Sequence, residues 1–270
     1  MVRAHAKLNL ALVVGPLRPD GKHEVETVMH AIDLHDDVEV ETDNALSVAG
    51  FAEDTLVREA LTGLADAAGV EPRWRASIEK RIPVAAGLGG GSSDAAAALR
   101  LANATLPAPL SPDALHGVAA RVGTDVPFFL RDGPQLATGD GTDLAPLALP
   151  VDFAVLLVLP QGVTKVSTRV VYERFDRREG ARGFAERRAA LERSVAGVET
   201  ARDLAALPPN DLASSPLADE LERRGAFRAD VSGAGPIVYG LFAHADRARQ
   251  AERALRAAGK TWLTRPVAAA

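Results

Sequence analysis

Residues 83–94 read Pro83-Val84-Ala85-Ala86-Gly87-Leu88-Gly89-Gly90-Gly91-Ser92-Ser93-Asp94: four glycines within five positions, then two serines, with an alanine-rich stretch to Leu106 behind them. Alanine is the best helix former, so a glycine loop running straight into a helix is expected here. Such a loop lets backbone N–H groups converge on an anion, and the helix N-terminus adds partial positive charge. The serine hydroxyls can bond phosphate oxygens or a phosphate-bound Mg²⁺. A merely flexible connection would use four glycines poorly, since each loses the most backbone entropy on ordering. The run is not a Walker A sequence, because no Lys-Ser/Thr follows the glycines. It also fails Gly-x-Gly-x-x-Gly, because position 92 is serine.

Upstream, Leu8, Leu10, Leu12 and Val14 alternate as a strand before Gly15-Pro16, and Arg18-Pro19-Asp20-Gly21 is a turn. Val25 to Leu34 and Val38 to Thr42 read as two strands joined through the polar His35-Asp36-Asp37. Asp54 can cap a helix carrying Val57, Leu61, Leu64 and Ala68 on one face and closed by Gly69. Trp74, Ala76 and Ile78 alternate with polar residues as a half-buried strand.

Downstream, Ser111 caps a helix with Pro112 in its first turn and Leu115, Val118, Ala119 and Val122 on one face. Gly123 ends it. Ala145-Pro146 to Pro150 is the expected boundary between two domains, residues 1–148 and 149–270. Phe153 to Leu159 reads as a buried strand, residues 181–206 as helical with glycine interruptions, Ile237 to Phe242 as a strand and 246–258 as a helix. Strands and helices interleave irregularly, which favours α+β over a regular βαβ array.

The chain has 270 residues, enough for a full core, with 47% hydrophobic and 25% charged residues. Its net charge of −5 argues against a dedicated nucleic-acid binder. The absence of cysteine removes disulfide scaffolds, thiolate catalysis, iron–sulfur clusters and Cys-ligated zinc. The first residues carry no apolar signal core, and the longest strongly apolar run, Phe153 to Leu159, is far short of the ~20 residues a membrane helix needs. A cytoplasmic protein without membrane or nucleic-acid partners is expected. His23-Glu24 does not open a His-Glu-x-x-His zinc site, because position 27 is Thr. His30, Asp33, His35, Asp36 and Asp37 show no recognised ligand spacing, so no metal ligand is assigned. Lysine is scarce, at 7, 22, 80, 165 and 260, so each one invites a question.

The glycine run, Pro-x-x-x-Gly-Leu-Gly-Gly-Gly-Ser-Ser-Asp-Ala-Ala, resembles the phosphate-binding motif of the GHMP kinase superfamily. Ala6-Lys7-Leu8-Asn9-Leu10-Ala11-Leu12 resembles its N-terminal motif, and Ser232-Gly233-Ala234-Gly235 its C-terminal glycine motif. Asp20-Gly21-Lys22-His23-Glu24, Gly123 to Phe129 and Asn210-Asp211-Leu212 resemble the member that acts on a cytidylated methylerythritol in non-mevalonate isoprenoid synthesis. The resemblance implies a two-domain α+β fold, an N-terminal ribosomal-protein-S5-like domain and a C-terminal ferredoxin-like domain, with the active site in the cleft between them. It implies ATP-dependent phosphorylation of the substrate 2-hydroxyl, with ATP as co-substrate and Mg²⁺ held mainly by its phosphates.

Residue by residue, the resemblance makes Lys7 a catalytic cation and Asp125 the base or orienting group for the attacking hydroxyl. Pro83, Gly87, Leu88, Gly89, Gly90, Gly91, Ser92 and Ser93 become the ATP loop. Asn9, Lys22, His23, Thr168 and Tyr172 become the substrate side. Each has a bland alternative: Lys7 as an edge-strand lysine, Asp125 as a helix cap, His23 as a surface-turn histidine, Asn9 as a strand amide, Thr168 and Tyr172 as second-domain core. Asn210 and Asp211 are expected to organise structure. The chain departs from the family at Lys22, where an aromatic residue is usual, at His5 in place of Pro, and at Ala234 in place of Ser or Thr. Lys22 can face the substrate diphosphate or lie in solvent. A GHMP kinase with a shifted substrate and a non-catalytic nucleotide-binding protein are the alternatives, and a monomer or weak homodimer is expected.

Overall fold

The computed structural model describes residues 1–51, 55–163 and 166–268. Asp54, expected to cap a helix, and Lys165 lie outside the described residues. The chain forms two compact units. One comprises Met1–Ala6, Leu34–Val84 and Gly89–Asp132, the other Lys7–Asp33, Ala85–Leu88 and Gly133–Ala270. This division differs from a single boundary at 148/149. The strands β1 (Val2–Leu17) and β2 (His23–Thr42), 16 and 20 residues long, are each shared between the units, which linker composition cannot reveal.

In the first unit the elements after β2 are β3 (Ser47–Ala49), α1 (Thr55–Ala68), β4 (Trp74–Glu79), α2 (Gly90–Asn103) and α3 (Pro112–Val122). Residues 37–42 of β2 pair antiparallel with 74–79 of β4, and β3 runs parallel to β4. Trp74, Ala76 and Ile78 are buried and their neighbours exposed, as the alternation predicts. Trp74 Nε1 donates to Thr105 Oγ1 at 2.9 Å. Helix α1 buries Val57, Ala60, Leu61, Leu64 and Ala65 and packs against α2 and α3. In α2 every residue from Ser93 to Leu99 is buried, which four alanines in a row allow. Ser111 Oγ accepts from Ala114 N, capping α3.

The two strands expected over 25–34 and 38–42 are one continuous strand, β2. The polar triplet between them is not a turn. The Asp36 side chain is fully buried, and its Oδ1 accepts the N–H groups of Arg81 and Ile82, at 2.5 and 2.8 Å. Satisfied in this way, a carboxylate fits inside a strand.

In the second unit the later elements are β5 (Gln135–Thr138), β6 (Asp143–Pro146), β7 (Ala154–Pro160), α4 (Thr168–Arg177), α5 (Phe184–Ala196), α6 (Pro216–Arg223), β8 (Arg228–Val231), β9 (Val238–Phe242), α7 (Ala245–Leu255) and β10 (Gly259–Thr264). Strand β5 pairs with residues 27–29 of β2 and with β6. An antiparallel sheet of order β10-β7-β9-β8 carries α6 and α7. The succession β7-α6-β8-β9-α7-β10 in that order is the split βαβ, ferredoxin-like arrangement. Val155 to Val158 are fully buried, so the apolar run is a strand covered on both faces. Leu12, Val14 and Val25 pack against Val171 and Phe175 of α4. No helix among the described residues is long and apolar enough to cross a membrane.

Candidate functional site

In the first unit, α2 starts without a side-chain cap. Its N-cap residue Gly89 sits in the left-handed region at φ +69°, and Ser93 N is taken by Gly89 O at 2.9 Å. The amides of Gly90, Gly91 and Ser92 therefore belong to the open end of a 14-residue helix, an arrangement made for an anion. Gly90, Gly91, Ser92 and Pro83 are half-buried, while Ser93 is 2% exposed. The same unit carries Asp125, half-buried in the turn between α3 and the 3₁₀ segment Pro127–Leu130. Val126, Phe128 and Phe129 are buried and anchor that turn, and the 3₁₀ segment packs on α2.

In the second unit, Lys7 is only 4% exposed, on β1, and its Nζ donates to Asn9 Oδ1 at 2.5 Å. Asn9 Nδ2 donates to Thr27 Oγ1 at 2.8 Å, and Thr27 in turn donates to Ala11 O. The Ser232 hydroxyl ties three segments together: it accepts from Asn9 N at 3.3 Å and donates to Gly87 O at 3.0 Å. Two ladder-like bonds add to this, Lys7 N to Leu88 O and Ile237 N to Ala86 O. Gly87, at φ +89°, lies so close that any Cβ would collide with the Ser232 carbonyl oxygen. Gly233, at φ +58°, would place a Cβ 3.2 Å from Asn9 Oδ1 and 3.8 Å from Lys7 Nζ. Lys7 is thus no solvated edge lysine.

Asn210 and Asp211 do organise this structure. Asn210 Nδ2 donates to Val231 O and Gly233 O, its N–H to Asp230 Oδ2, and its Oδ1 accepts from Leu212 N. Asp211 Oδ2 accepts from Val14 N and Arg187 Nε. Burial pushes the Asp230 carboxyl above its ordinary value, against the two N–H groups it receives. Burial also raises the phenol of fully buried Tyr239, to about 12, and its hydroxyl donates to Leu10 O.

Of the residues expected on the substrate side, His23 is buried and stacked on Tyr172 with ring centroids 4.8 Å apart. His23 Nε2 donates to Asp176 Oδ1 at 2.8 Å. Thr168 is exposed at the start of α4. Lys22 neither turns inward nor lies free in solvent: its Nζ meets Asp140 Oδ2 at 2.6 Å. Burial opposes the Asp140 charge, but Lys22 and Thr142 hold that carboxyl below its usual range.

Thr27, Asp140 and Asp176 were missed as site residues. The period of β2 places Thr27 on the face of His23, and a four-residue spacing places Asp176 on the face of Tyr172 once α4 is known to be a helix. Asp140 is brought in by the β5–β6 turn, which leaves no local signal.

Residues 55–133 match the GHMP kinases N terminal domain, and residues 209–261 match GHMP kinases C terminal. The 4-diphosphocytidyl-2-C-methyl-D-erythritol kinase of Salinispora arenicola (strain CNS-205) is 38% identical over 265 residues, covering 90% of this chain and 84% of that protein. That of Chlorobium chlorochromatii (strain CaD3) is 34% identical, covering 97% and 95%. A crystal structure of 4-(cytidine 5'-diphospho)-2C-methyl-D-erythritol kinase superposes with TM-score 0.77 at 33% identity, over 98% of both chains. A homoserine kinase from Cytophaga hutchinsonii shares the fold, with TM-score 0.70 at 16% identity over 98% of this chain and 95% of that one.

Proposed function

Since the chain belongs to the 4-diphosphocytidyl-2-C-methyl-D-erythritol kinase family of the GHMP kinases, we propose that it phosphorylates the 2-hydroxyl of that cytidylated methylerythritol with ATP. The observation that carries this reading is the buried Lys7 ammonium, held beside Asn9 by the same Ser232 hydroxyl that holds Gly87. A pure binding module needs an anion loop but no dehydrated lysine. In the proposed division of labour, residues 1–148 bind ATP and carry the catalytic pair, and residues 149–270 complete the substrate side. Pro83, Gly87 to Gly91, Ser92 and Ser93 receive the ATP phosphates. Asn9, Lys22, His23, Thr168 and Tyr172 face the substrate. Ser92 and Ser93 at the loop would offer hydroxyl oxygens, hard donors suited to Mg²⁺. Bound with the ATP phosphates, Mg²⁺ would supply charge neutralisation there.

In the transfer, the substrate 2-oxygen bonds to the γ-phosphorus while the bond from that phosphorus to the ADP oxygen breaks. The hydroxyl proton passes to Asp125, and Lys7 stabilises charge on the transferring oxygens. A carboxylate is far too weak a base to deprotonate an alcohol in advance, so the proton moves late in a loose transition state. The enzyme works in the cytoplasm as a monomer or weak homodimer on a small molecule, without nucleic acid. The test is incubation with ATP, Mg²⁺ and a panel of GHMP substrate alcohols while ADP release is followed. Phosphorylation of the cytidylated methylerythritol above all others is the expected result. Preference for another alcohol, or ATP binding without turnover, overturns it.

A further inference from the structure

Lys80 is one of five lysines in the chain, and neither the proposed chemistry nor the substrate side uses it. Its side chain is 14% exposed, and both carboxylates it meets, Asp36 and Asp94, are fully buried. Nζ donates to Asp36 Oδ2 and to Asp94 Oδ2, each at 2.6 Å, and lies 5.7 Å from the Phe51 ring centroid. Burial opposes its charge, but the two carboxylates outweigh that and hold the ammonium above the ordinary lysine value. Asp36 uses its other oxygen on the N–H groups of Arg81 and Ile82. A Cβ on Gly90 would stand 3.1 Å from Ile82 Cγ2 and 3.4 Å from this ammonium.

Three elements therefore converge on one charge. The middle of β2 supplies Asp36, the end of β4 runs into Lys80, and the second turn of α2 supplies Asp94. The segment that enters the glycine loop is clamped at residues 81 and 82, and the helix that leaves it is clamped at residue 94. Such a cluster is a poor way to gain stability, because burying three charges carries a heavy desolvation cost and apolar replacements often do as well. What an ion cluster gives that apolar packing does not is a fixed register, since the charge-assisted bonds have one geometry.

We infer that Lys80, with Asp36 and Asp94, is a positioning cluster that sets the open amides of the α2 N-terminus for the ATP phosphates. This rests on the reading of that loop as the ATP site. In this reading Lys80 acts through α2. A Lys80→Met change leaves two buried carboxylates facing each other, and the loop and helix then lose their common anchor. ATP affinity falls, whereas the alcohol site, built from other residues, keeps its own KM.

The experiment is calorimetric titration of ATP into the full chain, with steady-state kinetics and a melting curve for each variant. Lys80→Met is expected to weaken ATP binding by about tenfold or more, equivalent to ~1.4 kcal/mol. The KM for the alcohol should move less than about twofold, a split that general loosening would not give. Asp94→Asn keeps a hydrogen-bond acceptor for Lys80 and should weaken ATP only a few-fold, and it is read alone if Lys80→Met fails to fold. A folded Lys80→Met, or failing that a folded Asp94→Asn, that binds ATP like the parent overturns the inference. So does an equal rise in both KM values. Gly89→Val is the control for the underlying reading: if it leaves ATP affinity unchanged, the loop assignment itself is wrong and this inference falls with it.

Discussion

Two lysines of the second unit make short contacts under opposite conditions, one with an amide oxygen and one with a carboxylate. Lys7 is 4% exposed and sits inside a lattice of hydrogen bonds through Asn9, Thr27 and Ser232. The Lys22 side chain is 47% exposed and meets one carboxylate, Asp140, at 2.6 Å. Distance does not separate them, since both contacts are short. Solvent does: a charge stripped of water interacts strongly with whatever stands opposite, while water and salt screen an exposed one. In the proposed function the Lys7 region therefore acts on a charge that develops during reaction, and the Lys22 region adjusts binding.

The sharpest way to break this contrast is to remove the buried lysine. Lys7→Ala should cut single-turnover rate by at least ~10²-fold while leaving the fold intact, and Asp125→Ala should match it with nucleotide binding nearly unchanged. The double variant should be little worse than either single one, because both act on one transferred group. Near-normal turnover in either single variant removes that residue from the chemistry.

Ser232→Ala tests whether the lattice around Lys7 matters beyond the lysine itself. It deletes one hydroxyl, hence the bonds to Asn9 N and Gly87 O. Leaving a buried carbonyl and N–H without that partner costs about 1–3 kcal/mol, and about a tenfold loss in kcat/KM is expected. An unchanged kcat/KM would mean that the backbone bonds alone hold these segments.

At the exposed lysine the expected change is smaller and of opposite sign. Lys22→Tyr restores the aromatic that the family resemblance implies, at a gain of roughly 0.5–1.5 kcal/mol. The KM for the cytidylated substrate should fall by a few-fold to about tenfold at similar kcat. A higher KM would show that Lys22, despite Asp140, contributes a contact of its own.

The smallest effect concerns the ion pair itself. The Asp140 carboxyl is held below its ordinary value of 3.8, so its contribution to stability is present above that pH and lost as the pH falls through the lower folded value. Asp140→Asn should lower stability at neutral pH by no more than about 1 kcal/mol, as exposed pairs do. That deficit should fade in melting curves taken progressively below pH 3.8. A deficit that persists in acid would assign the loss to the Thr142 hydrogen bonds and not to charge.

Much of the first unit was legible because its elements follow local rules. The period of Trp74, Ala76 and Ile78, the Ser111-Pro112 start of α3 and the alanine run of α2 each carry their own signal. The short strands β5, β6, β8 and β10 did not, because four to six residues leave too little pattern to find. Strand β2 was misread as two strands for a different reason: a sequence shows that Asp36 is polar, not that two N–H groups and an ammonium will meet it.

By itself the sequence determined the glycine loop running into a helix, the order of the three motifs, and the residue types available for phosphoryl chemistry. These depend on neighbours within a few positions, where backbone freedom and helix propensity decide. Only the tertiary structure decided that Lys7 is dehydrated, that Lys22 is tied to Asp140, that His23 rests on Tyr172 and Asp176, and that Lys80 joins two buried aspartates. Each of those outcomes turns on which distant residue shares the space and how much water is left there. A carboxylate 118 positions away sets the state of Lys22, and no local pattern in the chain encodes that distance.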